Sequence, residues 1–168
     1  AGGAGGGVGF WVGAIRESFE EAGVLRARAR AGTPVDASTA VFVDARDALN
    51  AGELDFASFV AAHDLVLRAD ELHPFSHWLT PEGSPRRYDT RFFLGAAPSG
   101  VYEHDNAELV ASTWLRPSDA LDAAVRGELD LIFPTRKSLE VLSGYDRTED
   151  VIAANREGPL PCPTLLRK

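Results

Sequence analysis

The sequence has little cysteine, fewer basic than acidic residues and no long apolar run. Its single cysteine, Cys162, excludes an internal disulfide and a metal site built from cysteine alone, and it fits a reducing cytoplasm. Lysine and arginine number 17 against 25 acidic residues, and this net charge of -8 argues against a nucleic-acid backbone as the main partner. No apolar stretch approaches the ~20 residues that cross a bilayer, and no secretion signal opens the sequence. We therefore expect a soluble, cytoplasmic protein that binds neither nucleic acid nor membrane.

What remains is typical of a globular protein. The chain has 168 residues, of which 45% are hydrophobic and 25% charged, so we expect one domain over residues 1–168 with a core of its own. The glycine-rich segment 1–9 resembles a flexible linker, and the proline-rich tail 159–168 is expected to be extended. A small phosphorylated substrate is compatible with the acidic balance, because local arginines or bound cations can reverse the field of one cleft.

Hydrophobic periodicity predicts helices and strands in one chain. A helix is expected over residues 10–22, ended by Gly23. Residues 39–45 have strand composition but could also be the lead-in to the next segment, and 45–70 are read as a helical insertion. Further strands are expected at 73–81, 87–97 and 108–115. Helices are expected after Pro117 with Ser118 as the N-cap, at 134–145, and at 148–158. The pattern indicates an α/β or α+β fold with a helical insertion in the middle.

The first predicted helix crowds three carboxylates together. Glu17, Glu20 and Glu21 fall within a sector of roughly 100°, and Arg16 stands four residues before Glu20, within reach of it. The opposite side, expected to be buried, carries Trp11, Ile15, Phe19 and Ala22. Carboxylate oxygens of this kind suit a hard divalent cation such as Mg²⁺ or Mn²⁺. The alternative is a solvated acidic face, since such repulsion costs only a few tenths of a kcal/mol at a surface.

The segment RESFEEAGV, residues 16–24, resembles the second half of the Nudix box, R-E-U-x-E-E-x-G-U, where U is aliphatic. The matching residues are Arg16, Glu17, Glu20, Glu21, Gly23 and Val24. Ser18 stands where an aliphatic residue is usual. The resemblance implies that the three glutamates bind Mg²⁺ or Mn²⁺ in a catalytic site, and that Arg16 holds them in place by ion pairing.

The first half of the box is not matched in the same way. A glycine is expected fourteen residues before Arg16, where Gly2 stands, and a glutamate eight before it, where Val8 stands. The Nudix fold also places strands before this helix. We therefore expect that the sequence lacks an N-terminal portion or a segment near the glycines; the alternative is a fold that is completed differently.

The resemblance extends over most of residues 14–143. The segments WLTP and RRYDTRFF are similar to the peroxisomal-type coenzyme A and acyl-coenzyme A diphosphatases and their bacterial relatives. This implies a Nudix-type α/β/α sandwich with a mixed sheet and a helical insertion after the Nudix helix. It also implies metal-dependent hydrolysis of the diphosphate bond of a nucleoside diphosphate linked to another moiety, with CoA or acyl-CoA as a candidate substrate. A homodimer is a further expectation of the resemblance.

Two alternatives stay open at this point. A Nudix hydrolase could instead act on ADP-ribose, a dinucleotide or a nucleotide sugar. A Nudix-like module without hydrolysis could bind such a molecule only. The intact glutamates favour an enzyme, whereas Val8 and the missing strands favour the binding module.

Later residues supply a candidate general base and two candidate phosphate-binding residues. The family commonly uses a carboxylate from a later loop as base or extra ligand, for which Glu108 is our choice over Glu103 and Asp105; a surface charge is the alternative. Arg87 and Arg91 are candidates for binding the substrate's phosphates, because arginine can fork onto phosphate oxygens. Strand alternation places both on one face with Asp89, so that a structural Arg–Asp pair is the alternative.

Overall fold

The computed structural model describes residues 5–80, 82–97 and 113–158. The helices are α1 (Gly5–Ala22), α2 (Ala40–Asn50), α3 (Phe56–Ala62), α4 (Pro117–Val125), α5 (Phe133–Leu142) and α6 (Thr148–Glu157). The strands are β1 (Ala27–Ala29), β2 (Leu65–Leu67), β3 (His73–Leu79) and β4 (Asp89–Leu94). The chain divides into two compact units, of which the first contains α1–α3, β1 and β2, and the second contains β3, β4 and α4–α6. The assignment of one domain to residues 1–168 stays a prediction.

Aromatic packing between helices builds the core of the first unit. Ile15 and Phe19 of α1 and Phe59 of α3 are fully buried. The rings of Phe19 and Phe59 stack with centroids 5.2 Å apart, and Phe42 of α2 meets Phe59 edge-on at 5.8 Å. Such pairs contribute about 0.5–1.5 kcal/mol beyond the area that they bury. On the side of α1 predicted to be buried, Ile15 and Phe19 are buried as expected, whereas Trp11 and Ala22 are half-buried.

The second unit is built on an antiparallel β3–β4 hairpin. Its register runs from His73 opposite Leu94 to Leu79 opposite Asp89, with an irregularity between Pro74 and Ser76. Phe75, Trp78 and Val151 of α6 form its buried cluster. The strands predicted at 73–81 and 87–97 are thus confirmed.

Two helices of the first unit differ from the sequence prediction. α1 begins at Gly5 and not near residue 10, so that part of the segment expected to be flexible is helical. Glycine lowers helix propensity by about 1 kcal/mol per residue but permits helical dihedral angles. Residues 40–45 are helical in α2 and not a strand. Ala45 and Leu49 are buried at helical spacing while Val41 and Val43 are exposed, so packing overrides the β-branched composition.

Smaller corrections concern the ends of elements and short strands. The expected insertion at 45–70 is helical in α2 and α3, but β2 lies inside it and pairs antiparallel with β1, which was not predicted. Arg116 and not Ser118 is the N-cap of α4, because Pro117 takes the first helical position. Most of the strand predicted at 108–115 falls outside the described residues.

Helices and strands are mixed along the chain, as the α/β expectation requires. In the described ranges both strand pairs are antiparallel, so the parallel pairing of a mixed sheet is not among them. The sandwich arrangement stays a prediction. Among the helices that the structure describes, none has the length and apolar character needed to span a bilayer.

Candidate active site

Arg16 lies between two carboxylates on the outward side of α1. Its Nη2 atom forms an ion pair with Glu17, and its Nε atom lies 3.9 Å from Oε2 of Glu20. The Glu17 side chain is 49% exposed and that of Glu20 only 19%, so Glu20 is held in the more enclosed position. The ion pairing expected of Arg16 is therefore present. One guanidinium offsets the repulsion between the two carboxylates.

The three glutamates share one side of α1 but do not converge on a point. Within residues 5–80, 82–97 and 113–158, no three histidine, cysteine, aspartate or glutamate side chains are gathered as a metal site would require. The donor chemistry of Glu17, Glu20 and Glu21 still fits a hard divalent cation, which prefers carboxylate oxygens. Arg16 now engages two of these carboxylates, and a cation would compete with it for them.

A hydrogen-bonded turn closes α1 directly after the glutamates. Gly23 has a φ of 68°, a left-handed conformation that favours glycine, and its N–H donates to the carbonyl of Phe19 at 2.9 Å. The N–H of Val24 donates to the carbonyl of Ser18 at 2.9 Å. The Ser18 hydroxyl also lies 2.9 Å from the carbonyls of Ile15 and Val24. These contacts give Ser18 a role at a position where the Nudix box has an aliphatic residue.

Side chains of α2 bind the carbonyls that end α1. Arg46 donates from Nε to the carbonyl of Glu20 at 2.9 Å and from Nη2 to that of Glu21 at 2.7 Å. Asn50 donates to the carbonyl of Glu20 at 3.1 Å. The last backbone carbonyls of a helix have no hydrogen-bond partner within that helix. Here the backbone carbonyls of Glu20 and Glu21 accept their hydrogen bonds from a neighbouring helix. Sequence reasoning missed these residues, although their spacing of four on α2 was a signal.

The arginines proposed for phosphate binding lie on the hairpin of the second unit. Arg87 is exposed, and its Nε atom donates to the carbonyl of Thr80 at 3.3 Å. Arg91 is exposed on β4, opposite His77 in the strand register. A carboxylate oxygen of Asp89 contacts Nε2 of His77. Both arginines are therefore exposed and lie on the same hairpin. Their binding of phosphate stays a prediction.

The predicted alternation of β4 is supported by a cavity on its other side. Tyr88, Thr90 and Phe92 together line a pocket of about 300 Å³ in the second unit. Glu108, Glu103 and Asp105 lie outside the described residues, as does Cys162.

The chain resembles curated enzymes from two vertebrates. It is 33% identical over 156 residues to the acyl-coenzyme A diphosphatase NUDT19 of Homo sapiens, with 86% of this chain and 41% of that protein covered. It is also 33% identical over 163 residues to the acyl-coenzyme A diphosphatase NUDT19 of Gallus gallus, with coverage of 86% and 43%. The chain thus spans less than half the length of these two relatives.

A solved structure and a family model agree with these relatives. The crystal structure of a NUDIX hydrolase from Alicyclobacillus acidocaldarius matches with a TM-score of 0.72 and 30% identity, covering 83% of this chain and 63% of that one. This match confirms the α/β fold class. The model of the NUDT19 Nudix domain matches residues 4–140. The chain therefore belongs to the NUDT19 Nudix domain family, and the resemblance to Nudix hydrolases carried by its acidic helix is confirmed.

Proposed function

We propose that this chain hydrolyses the diphosphate bond of a nucleoside diphosphate linked to another moiety, with CoA or acyl-CoA as its substrate. The observation that carries the proposal is the outward side of α1, where Arg16 is ion-paired with Glu17 and Glu20. The two vertebrate relatives are named acyl-coenzyme A diphosphatases, which supports the substrate class.

In this mechanism Glu17, Glu20 and Glu21 would hold the divalent cation that Nudix hydrolases generally use, and we expect Mg²⁺ or Mn²⁺. When bound, the cation stabilises negative charge on the transferring and leaving phosphate oxygens. Arg16 acts as a positioning residue, because its two ion pairs fix the direction of Glu17 and Glu20.

The remaining steps fall to other residues. Glu108 accepts the proton of the attacking water, whose oxygen bonds to one phosphorus while the bridging P–O bond breaks and the other phosphate leaves. Arg87 and Arg91 neutralise phosphate charge by donating paired N–H groups to its oxygens. Homodimerisation stays a prediction, to be measured by light scattering.

A substrate panel tests the proposal. The full chain is incubated with Mg²⁺ or Mn²⁺ and, separately, CoA, acyl-CoA, ADP-ribose, a dinucleotide and a nucleotide sugar, and the phosphate products are identified. We expect cleavage of the CoA compounds. The variants Glu20→Gln and Glu21→Gln should lower kcat at least about 100-fold, because a bound cation supplies several kcal/mol and each 1.36 kcal/mol is tenfold.

The control is Glu53→Gln, an exposed glutamate between α2 and α3, which should leave kcat unchanged. Preferential cleavage of another panel member would overturn the CoA assignment. Unchanged cleavage in the two site variants, or binding without cleavage of any panel member, would overturn the catalytic proposal.

A further inference from the structure

An apolar cavity of about 770 Å³ lies in the first unit and includes part of the acidic helix in its wall. Its volume lies within the range of about 300–1,000 Å³ that is usual for small-molecule sites. Helices α1 and α3 and strand β2 contribute its apolar side chains, among them Val12, Phe56, Val60, Leu65 and Leu67. The helical insertion therefore supplies much of a cavity that α1 alone could not form.

The charged side chains of the lining are Arg16, Arg30 and Asp64. Arg30 and Asp64 pair at 2.7 Å, and both side chains are 68% exposed, so this pair lies on the solvent side of the lining. Arg16 lines the cavity and also pairs with Glu17 and Glu20. The cavity and the carboxylate side of α1 therefore meet at one guanidinium group.

We propose that this cavity binds the acyl chain of an acyl-CoA whose diphosphate lies at the carboxylate side of α1, the pantetheine arm between them folding back toward the helix. The inference rests on the proposed function for the position of the diphosphate. A hydrocarbon chain has no polar groups, so an apolar wall leaves none of its atoms without a hydrogen-bond partner. A nucleobase has hydrogen-bonding edges, and the same apolar wall would leave these edges unsatisfied.

Packing holds the α3 wall of the cavity in place. Phe59 of α3 is fully buried against Phe19 of α1, and Asp55 caps the helix by accepting a hydrogen bond from the Ser58 N–H at 2.9 Å. Phe56 and Val60, neighbours of Phe59 on this helix, line the cavity. In this proposal the helical insertion is the element that determines which acyl-chain lengths the cavity accepts.

Two pairs of matched variants fill the cavity or leave it open. Ala61→Trp adds bulk at an exposed position that lines the cavity, and Ala62→Trp adds the same bulk at the next, exposed position, which is not part of the lining. Gly13→Leu and Gly7→Leu form the second pair on α1; a Cβ at either glycine meets open space, but Gly13 alone of the two lines the cavity. Leucine is the better helix former, so neither variant should unfold α1.

The measurement is calorimetric binding of CoA and of acyl-CoAs of increasing chain length to the full chain in EDTA, where hydrolysis does not interfere. Burial of each methylene should tighten binding by about fourfold, so affinity should rise with chain length. We expect Ala61→Trp and Gly13→Leu to weaken long-chain acyl-CoA binding at least tenfold relative to Ala62→Trp and Gly7→Leu.

Three results would overturn the inference: affinity that is independent of chain length, equal behaviour of the members of each matched pair, or equal loss of CoA and acyl-CoA binding. The last result would assign the cavity to a part of the molecule that CoA and acyl-CoA share, either the nucleotide or the pantetheine arm. Because this readout needs no cleavage, a chain that binds acyl-CoA by length without hydrolysing it would refute the proposed function and still support the cavity assignment.

Discussion

At the scale of single residues, the site depends on how one arginine shares its charge between two carboxylates. Arg16 contacts Glu17 and Glu20 through different nitrogen atoms of the same planar group. A lysine ammonium is a compact point charge and lacks this fork. The side chains of Arg16 and Glu17 are 46% and 49% exposed, so their pairing contributes at most about 1 kcal/mol to stability. Its effect is therefore on position more than on folding.

The variant Arg16→Lys separates these two effects. We expect kcat to fall about 10–100-fold, as for loss of a partner that orients metal ligands, while the free energy of unfolding changes by less than about 1 kcal/mol. Arg28→Lys, an exposed arginine of β1, is the control for both measurements. Unchanged kcat in Arg16→Lys would show that the ion pairs do not position the glutamates.

At the scale of elements, the end of α1 is completed by α2. The carbonyls of Glu20 and Glu21 accept hydrogen bonds from Arg46 on the next helix, so the site residues are tied to the core of the first unit. An orphaned carbonyl in this place costs the desolvation of the group as well as the lost bond.

For Arg46→Gln we therefore expect the free energy of unfolding to fall by about 1–3 kcal/mol, measured by urea denaturation. Arg46→Lys should recover part of the loss, because it retains a charged donor. Arg28→Gln, at an exposed position, should change stability by less than about 0.5 kcal/mol. Equal stability of Arg46→Gln and Arg28→Gln would contradict the capping role.

From the contact between α6 and β3 we expect the second unit to lose stability in acid. Burial, followed by the charge of Arg156, lowers the pKa of His73 below its ordinary value of 6.5. Nε2 of His73 lies 3.1 Å from the Arg156 guanidinium, a contact suited to the neutral ring. As the pH falls through 6.5 the unfolded chain binds the proton more readily than the folded one, so stability present above this pH is lost on acidification.

An NMR titration of His73 checks this expectation. Its pKa should lie below 6.5, and Arg156→Gln should raise it by removing the repulsive charge. Arg147→Gln, which removes an exposed arginine paired with Glu149, should leave it unchanged. A pKa of His73 at or above 6.5 in the unaltered chain would refute the expected loss of stability in acid.

At the scale of the whole molecule, a net charge of -8 attracts cations to the chain in general, whereas a built site binds a cation only in the folded state. A ligand that binds the native state alone stabilises it by about 2.7 kcal/mol at 100 times its dissociation constant. For a chain of this size, 1 kcal/mol shifts Tm by about 2–4 °C. Mn²⁺ at that excess should therefore raise Tm by about 5–10 °C.

The double variant Glu17→Gln/Glu20→Gln should lose this shift, and Glu53→Gln should retain it, as followed by thermal denaturation with and without Mn²⁺. The comparison separates a specific site from general screening of negative charge, since Glu53 is an exposed glutamate outside the acidic sector of α1. An equal Mn²⁺ shift in all three proteins would place the cation elsewhere.

The features of the site that are local in sequence followed from the sequence alone. The shared sector of Glu17, Glu20 and Glu21, the ion pairing of Arg16 and the end of the helix at Gly23 depend on helical geometry and one residue's backbone freedom. Strands β3 and β4 were also predicted locally, from strand-like composition and from the cluster of turn residues between them.

Only the tertiary structure decided what depends on residues far apart in the chain. Residues 40–45 are helical despite their strand composition, because Ala45 and Leu49 of the same helix are buried. Arg46 reaches the carbonyl of Glu21, 25 positions away. The cavity beside Arg16 exists because α3 packs against α1 through Phe19 and Phe59. Local pattern carries no information on such contacts, whereas packing fixes them.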